Sequence, residues 1–155
     1  FGSVEGNEGR GTEHPFIQQG TVWGDGDALA AELNARALPG LRFEPLTYTP
    51  RSIPGMSTDP RLKNQEVHGI RHVVTDARAV RPVEAGVNVL HAFWHQAPDS
   101  LKATFFVDRP FRNVTGTARL YRMIMDGRTP EEIVAAWQPD VAAFLEMRKA
   151  YLLYP

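Results

Sequence analysis

The segment Glu5-Gly6-Asn7-Glu8-Gly9-Arg10-Gly11-Thr12 has the residue types and spacing best suited to holding a ligand. Glycines at 6, 9 and 11 allow positive φ and let successive backbone N–H groups converge on one point. Arg10 adds a planar, permanently charged fork that matches a carboxylate or phosphate. Together they describe an anion cradle. The segment lacks the Gly-x-Gly-x-x-Gly spacing of dinucleotide sites and the Gly-Lys-Ser/Thr ending of a P-loop. A solvent-exposed glycine turn, with Arg10 paired to Glu8 or Glu13, accounts for the same residues equally well. His14, beside Pro15 and Phe16, lies close enough to share the site. Trp23, in the glycine-bearing stretch that follows, is placed to stack on a sugar face.

Other chemistry-bearing residues fit structural roles better. His91 and His95 are four apart on an expected helix, an offset at which two imidazoles can share a metal, but Ala92 stands where a zinc protease needs Glu. His68 and His72 share one side of an expected strand about 13 Å apart, too far to ligate one ion unaided; satisfied sheet-face histidines are the simpler reading. Asp76 ends that strand and suits a turn cap. Neither Ser57 nor Ser100 has the context of a nucleophile elbow. Trp94, Trp137 and the Tyr151–Tyr154 cluster fall at helical spacing and read as core. With no Cys, thiol nucleophiles, disulfides and Cys-ligated zinc are excluded. No metal or other cofactor is expected.

The elements that must position these residues follow from periodicity. Asp25 or Asp27 caps a helix over Ala28–Ala37, with Leu29 and Leu33 on its buried stripe and Leu38-Pro39-Gly40 as its stop. Leu41–Tyr48 alternates as a strand, and Pro45 makes it either an edge strand or a strand with a break. Residues 49–63 form a long loop, and Glu66–Thr75 is the strongest strand. Pro82 opens a helix to about Gln96 whose apolar face is Val83, Val87, Leu90 and Trp94. Thr104–Val107 reads as a short strand and Arg109-Pro110-Phe111 as the start of a connection ending at Thr115-Gly116. Thr117–Asp126 is a helix closed by Gly127. Thr129-Pro130-Glu131-Glu132 is a capping box opening a helix to Trp137, and Pro139 starts a last helix striped by Val141, Phe144, Leu145, Arg148 and Tyr151-Leu152. The fold class is α+β: a small mixed sheet, flanking helices and a helical C-terminal third.

At 155 residues, 43% apolar and 23% charged, the chain has material for one packed domain. A net charge of -1 leaves no cationic excess for a row of phosphates, so nucleic acid is not an expected partner. No apolar run approaches the roughly 20 residues of a membrane-spanning helix, and membrane insertion is not expected. The chain opens on Phe1, without a charged, then apolar leader, and its glycine-studded start suggests a piece of a longer protein.

Several motifs in order resemble one bacterial family. Glu8-Gly-Arg10-Gly-Thr12-x-x-Pro15-Phe16, Gly20-x-x-Trp23, Leu38-Pro39-Gly40-Leu-Arg-Phe43, Gly69-Ile-Arg-His-Val-Val-Thr75-Asp76, Gly127-x-x-x-Glu131-Glu-Ile133 and Arg148-Lys-Ala-Tyr151-Leu-Leu-Tyr154 are similar to the C-terminal portion of the exo-β-N-acetylmuramidase (NamZ-type) family, formerly a domain of unknown function. The resemblance implies a two-domain protein. Residues 1–16 would be a boundary loop from an N-terminal Rossmann-like domain, residues 17–155 the C-terminal α+β domain, and a cleft would lie between the two domains. It further implies release of N-acetylmuramic acid from non-reducing ends of peptidoglycan fragments by β-1,4 hydrolysis. The two carboxyl groups that such chemistry needs would lie in the N-terminal half, so no catalytic residue is assigned here. Asn7, Glu8, Arg10 and Thr12 match the family's glycine–arginine motif and would line the cleft, with His14 and Trp23 beside them and Arg10 gripping the lactyl carboxylate of muramic acid. The expected partners are a peptidoglycan-derived sugar and the N-terminal domain. The expected location is extracytoplasmic, with cytoplasmic recycling of imported fragments as the alternative. A non-catalytic module that binds a carboxylated cell-wall sugar through the same loop is the competing reading.

Overall fold

The computed structural model describes residues 4–153. Its elements are β1 (Gln18–Thr21), α1 (Gly26–Ala35), β2 (Leu41–Tyr48), β3 (Val67–Val74), α2 (Pro82–Gln96), α3 (Asp99–Lys102), α4 (Asp108–Thr115), α5 (Arg119–Met125) and α6 (Pro130–Arg148), followed by a 3-10 turn at Lys149–Tyr151. The three strands run in the order β1-β3-β2. Both pairings are antiparallel, so the sheet is not mixed as the sequence suggested. The short strand β1 lacks the β-branched alternation that marks β3, so its residues carry little strand signal of their own.

Pro45 does sit on an edge, because β2 pairs on one side only and its missing N–H is not needed there. The side chain of Asp25 accepts a hydrogen bond from the Ala28 backbone N–H at 3.0 Å, which fixes the start of α1 and lays Leu29 and Leu33 into the core. The core joins these to Phe43 and Ile70 of the sheet, to Val89, Ala92 and Phe93 of α2, and to Phe105, Phe106, Phe111, Ile124 and Ile133 further on. Three phenylalanines there meet edge to face: Phe105 with Phe106 at 4.9 Å and Phe106 with Phe111 at 5.2 Å between ring centroids.

Four local expectations are corrected. Helix α2 buries Ala85, Val87, Val89, Ala92 and Phe93, whereas Val83 is 66% exposed. Its inward face is chosen by α1 on one side and α6 on the other, and small alanines allow that close approach. Thr104–Val107 is not a strand; Phe106 makes only an isolated bridge to Val4. Residues Asp108–Thr115, read as a connection, form α4, with Pro110 in the first turn where its missing N–H is harmless. Pro139 lies inside α6 and does not start a new helix. Both Pro139 and Ala135, whose carbonyl it cannot serve, are exposed, so water can satisfy that carbonyl and the helix runs on. The capping box is present as expected, with the Thr129 hydroxyl accepting from the Glu132 N–H and the Glu132 carboxylate from the Thr129 N–H.

Candidate functional site

The glycine–arginine segment is seated on the sheet. Asn7 and Gly20 exchange backbone hydrogen bonds at 2.9 and 3.0 Å, so the loop adds a short rung beside β1. The Asn7 side chain is fully buried. Its Oδ1 accepts from the Gly9 N–H at 2.7 Å, and its Nδ2 donates to the carbonyls of Arg61 at 2.8 Å and Arg10 at 3.2 Å. The Tyr48 hydroxyl donates to Asn7, lying 2.9 Å from its carbonyl and 3.0 Å from Oδ1. Burial, with a smaller contribution from the Glu8 charge, pushes the Tyr48 hydroxyl above its ordinary range, so it remains a proton donor. Asn7 therefore organises the loop from beneath, and every polar atom of its amide is engaged.

Gly9 and Gly11 have φ of +82° and +80°. A Cβ at Gly9 would meet the His14 carbonyl oxygen at 2.6 Å, and one at Gly11 would meet the Arg51 carbonyl oxygen at 2.6 Å. Only glycine fits these two positions. Between them Arg10 turns outward, its side chain 56% exposed, with Nε 3.1 Å from Glu8 Oε1. The Arg10–Glu8 pair of the plainer reading is thus formed. The loop itself is not the loose turn that reading supposed. Glu8 is 9% exposed, and its second carboxylate oxygen, Oε2, is buried with no hydrogen-bond partner among the described residues. A buried acceptor left open at a surface rim is costly unless something supplies a donor.

Arg10 also lies over the Phe16 ring, 5.2 Å from its centroid. Phe16 has φ +69° and is 66% exposed, so a bulky residue is held in a strained backbone conformation with its ring in solvent. A cavity of about 270 Å³ opens here, lined by Arg10, Gly11, Thr12, Pro15, Phe16, Met56 and Ser57. Met56 and Ser57 come from the long loop after β2, held by the Arg51 N–H donating to the Gly11 carbonyl at 2.8 Å. Sequence reasoning missed Phe16, Tyr48 and Met56 as site residues. Phe16 was visible as a bulky neighbour of the glycine motif, whereas nothing local pointed to Tyr48 or Met56.

The remaining expected site residues divide. The Thr12 hydroxyl donates to the Gly9 carbonyl at 2.7 Å and accepts from the His14 N–H and the Gln18 amide, so it braces the cavity rim. The His14 side chain is exposed on the same loop. Trp23 packs against the core, 6.2 Å from Phe105, and does not line the Arg10 cavity. His72 is engaged by the Gln19 amide at 2.8 Å and packs edge-on against Phe43, while His68 meets Thr47 at 3.1 Å. Burial lowers the His72 pKa. His91 and His95 stack at 6.0 Å between ring centroids, and a guanidinium nitrogen of Arg36 lies 3.3 Å from His91 Nδ1. Burial first, then Arg36, lower the His91 pKa. Among the described residues, no group of three His, Cys, Asp or Glu side chains comes together to hold a metal. Asp76 caps its turn, accepting from the Arg78 N–H at 2.9 Å. Tyr154 lies outside the described residues.

A three-stranded antiparallel sheet with helices on its flanks and an arginine-bearing glycine loop on its rim defines a small α+β domain with a candidate anion-binding edge. Two solved structures share this fold, each titled a DUF1343 family protein from Bacteroides fragilis NCTC 9343. One has a TM-score of 0.81 at 21% identity over 97% of this chain, the other 0.67 at 26% identity over 99%. In each case the match spans 38% of the solved chain. The chain belongs to the family described as "Exo-beta-N-acetylmuramidase NamZ, C-terminal", whose model matches residues 1–154. It is 28% identical over 156 aligned residues to the peptidoglycan beta-N-acetylmuramidase NamZ of Bacillus subtilis (strain 168), covering 99% of this chain and 36% of that protein. The chain therefore spans little more than a third of the length of the relatives it matches. Among the described residues, no helix is long and apolar enough to cross a membrane.

Proposed function

We propose that this chain is the C-terminal part of a peptidoglycan exo-β-N-acetylmuramidase and that the Glu8–Arg10–Phe16 rim is its share of the sugar pocket. The observation that carries this reading is the outward guanidinium of Arg10 beside the unpartnered, buried Oε2 of Glu8, both held on a loop that the fold rigidifies. The exposed side of this pair matches muramic acid: the terminal nitrogens of Arg10 donate to the lactyl carboxylate, while Glu8 holds the guanidinium from the protein side through Nε. Phe16 and Met56 offer an apolar surface beside them. Asn7 and Thr12 are positioning residues in this scheme, His14 borders the rim and Trp23 supports it through the core.

Hydrolysis of the β-1,4 bond needs two carboxyl groups flanking the scissile bond, and the cavity beside Arg10 is lined by no carboxylate. The acid and base or nucleophile then belong to the portion preceding this chain, a Rossmann-like domain joined through residues 1–16, with the substrate in the cleft between. Because intact peptidoglycan lies outside the cytoplasmic membrane, the protein is placed there as well.

The test uses the full-length protein on matched muramic and glucosamine glycosides. A charge-assisted pair of about 1.5 to 3 kcal/mol corresponds to a loss of roughly ten- to 150-fold in kcat/KM for Arg10→Ala on the muramic substrate alone. Equal loss on both, or none, removes the lactyl assignment. Release of free muramic acid by the 155-residue chain without its preceding portion contradicts the division of catalytic labour. Binding without turnover by the full-length protein favours the non-catalytic module.

A further inference from the structure

From Gln138 to Leu153 every residue is exposed, although the helix continues to Arg148 and the 3-10 turn to Tyr151. The first half of α6 packs through Pro130, Ile133 and Trp137 against α2 and α5. At 3.6 residues per turn the same face continues as Val141, Phe144 and Leu145, but the body beneath it ends. These side chains are 42%, 54% and 44% exposed. An isolated helix of this length is marginal in water, and a row of large apolar groups left in solvent marks a contact surface. A groove of about 550 Å³ opens beside the start of this row, floored by Trp137 and Val141 of α6 and by Val80–Glu84 ahead of and within α2, where Val83 is also exposed.

We propose that this projecting half of α6 is a docking arm whose occupant is the preceding portion of the same full-length polypeptide, seated against Val141, Phe144, Leu145 and the Val83 end of α2. The family's model runs through residue 154, so the arm belongs to the shared domain and is not an appendage to it. The matched region is 36% of the Bacillus subtilis relative, so most of such a protein lies outside it and is available as a covering body. A body tethered in the same chain acts at an effective concentration in the millimolar range, which a second copy does not reach in dilute solution. Docked in this way, the arm would fix how the two parts face each other. The inference rests on family membership and the exposed stripe, not on the role given to Arg10.

Hydrogen–deuterium exchange on the full-length protein tests it. Peptides covering 138–153 are expected to exchange at least about tenfold more slowly than free-chain rates, and the photo-crosslinker p-benzoylphenylalanine at Phe144 is expected to join a residue of the preceding portion within one polypeptide. The double variant Phe144→Asp, Leu145→Asp is expected to abolish that protection while peptides from β2 and β3 keep theirs. Free-chain exchange in the unaltered protein overturns the proposal, as does protection that survives the double variant. A crosslink found only between two copies, with a dimer mass by light scattering, assigns the arm to self-association and overturns it as well.

Discussion

The glycine loop at residues 4–16 and the arm at residues 138–153 reverse what their sequences suggest. The loop is rich in glycine and looks loose, yet Asn7 and Thr12 brace it from within, and the Tyr48 hydroxyl and the Gln18 amide tie those two residues to the sheet. The arm has a clear amphipathic stripe and looks like an ordinary core helix, yet nothing in the described residues covers it. Helical periodicity specifies which side chains share a face. Burial of that face depends on another surface being there, and for the arm none is found among the described residues. For the loop, a few side chains with complete hydrogen bonding outweigh the entropy that its glycines would otherwise favour.

The contrast breaks most easily at Asn7. Replacement by Ala leaves the Gly9 N–H and the carbonyls of Arg10 and Arg61 short of partners, while Tyr48 keeps the main-chain carbonyl, and about 3 kcal/mol of stability is expected to go, read as a lower denaturant midpoint with an unchanged m-value. A cost under about 0.5 kcal/mol would mean that the loop is as loose as its glycines suggest. The sheet under the loop carries a second handle in His72, whose pKa burial holds below 6.5. Its neutral form is favoured by folding, so this stability is fully present above pH 6.5 and lost as pH falls toward the lowered folded value. The expected acid slope is at most about 1.4 kcal/mol per pH unit per proton, and His72→Phe should remove that share of it in urea titrations carried downward from pH 6.5.

Tyr48→Phe takes away one buried hydrogen bond to Asn7 without changing shape, for an expected loss of about 1 kcal/mol at neutral pH. Because the Tyr48 pKa is raised, the native protein should lose stability as pH climbs above about 10 toward the higher folded value, where the unfolded chain ionises first, and the Phe variant should lose less. The smallest effect is expected in the arm. Phe144→Ser in the 155-residue chain should change unfolding free energy by no more than about 0.5 kcal/mol, since its ring contributes little to the folded body. A loss of 2 kcal/mol there would place Phe144 in a core that the exposed stripe denies.

Much of the fold was readable from residue order. Strand β2 and helix α2 begin and end where alternation, Pro82 and the Ala97-Pro98 break place them, and Thr129–Glu132 forms the capping box its pattern spells. Each is a local signal, set by side-chain geometry within one turn or one pleat. Less of the candidate site was readable. The glycine–arginine motif was evident, but the contact of Tyr48 with Asn7 and the approach of Met56 to Arg10 join chain segments tens of residues apart. Pro139 misled because a proline inside a helix costs little only where the affected carbonyl meets solvent, which depends on what surrounds the helix.

The sequence by itself determined the α+β class, the capping box that starts α6, the bounds of β2 and the glycine–arginine motif, because each follows from dihedral preference, side-chain periodicity or a short-range hydrogen bond. Only the tertiary structure decided which face of α2 turns inward, that Asn7 lies beneath the loop while Arg10 lies above it, and that the stripe of α6 runs past its support. Those outcomes depend on which distant surfaces meet, and contacts between remote segments are fixed by packing the whole chain at once, not by any stretch of it.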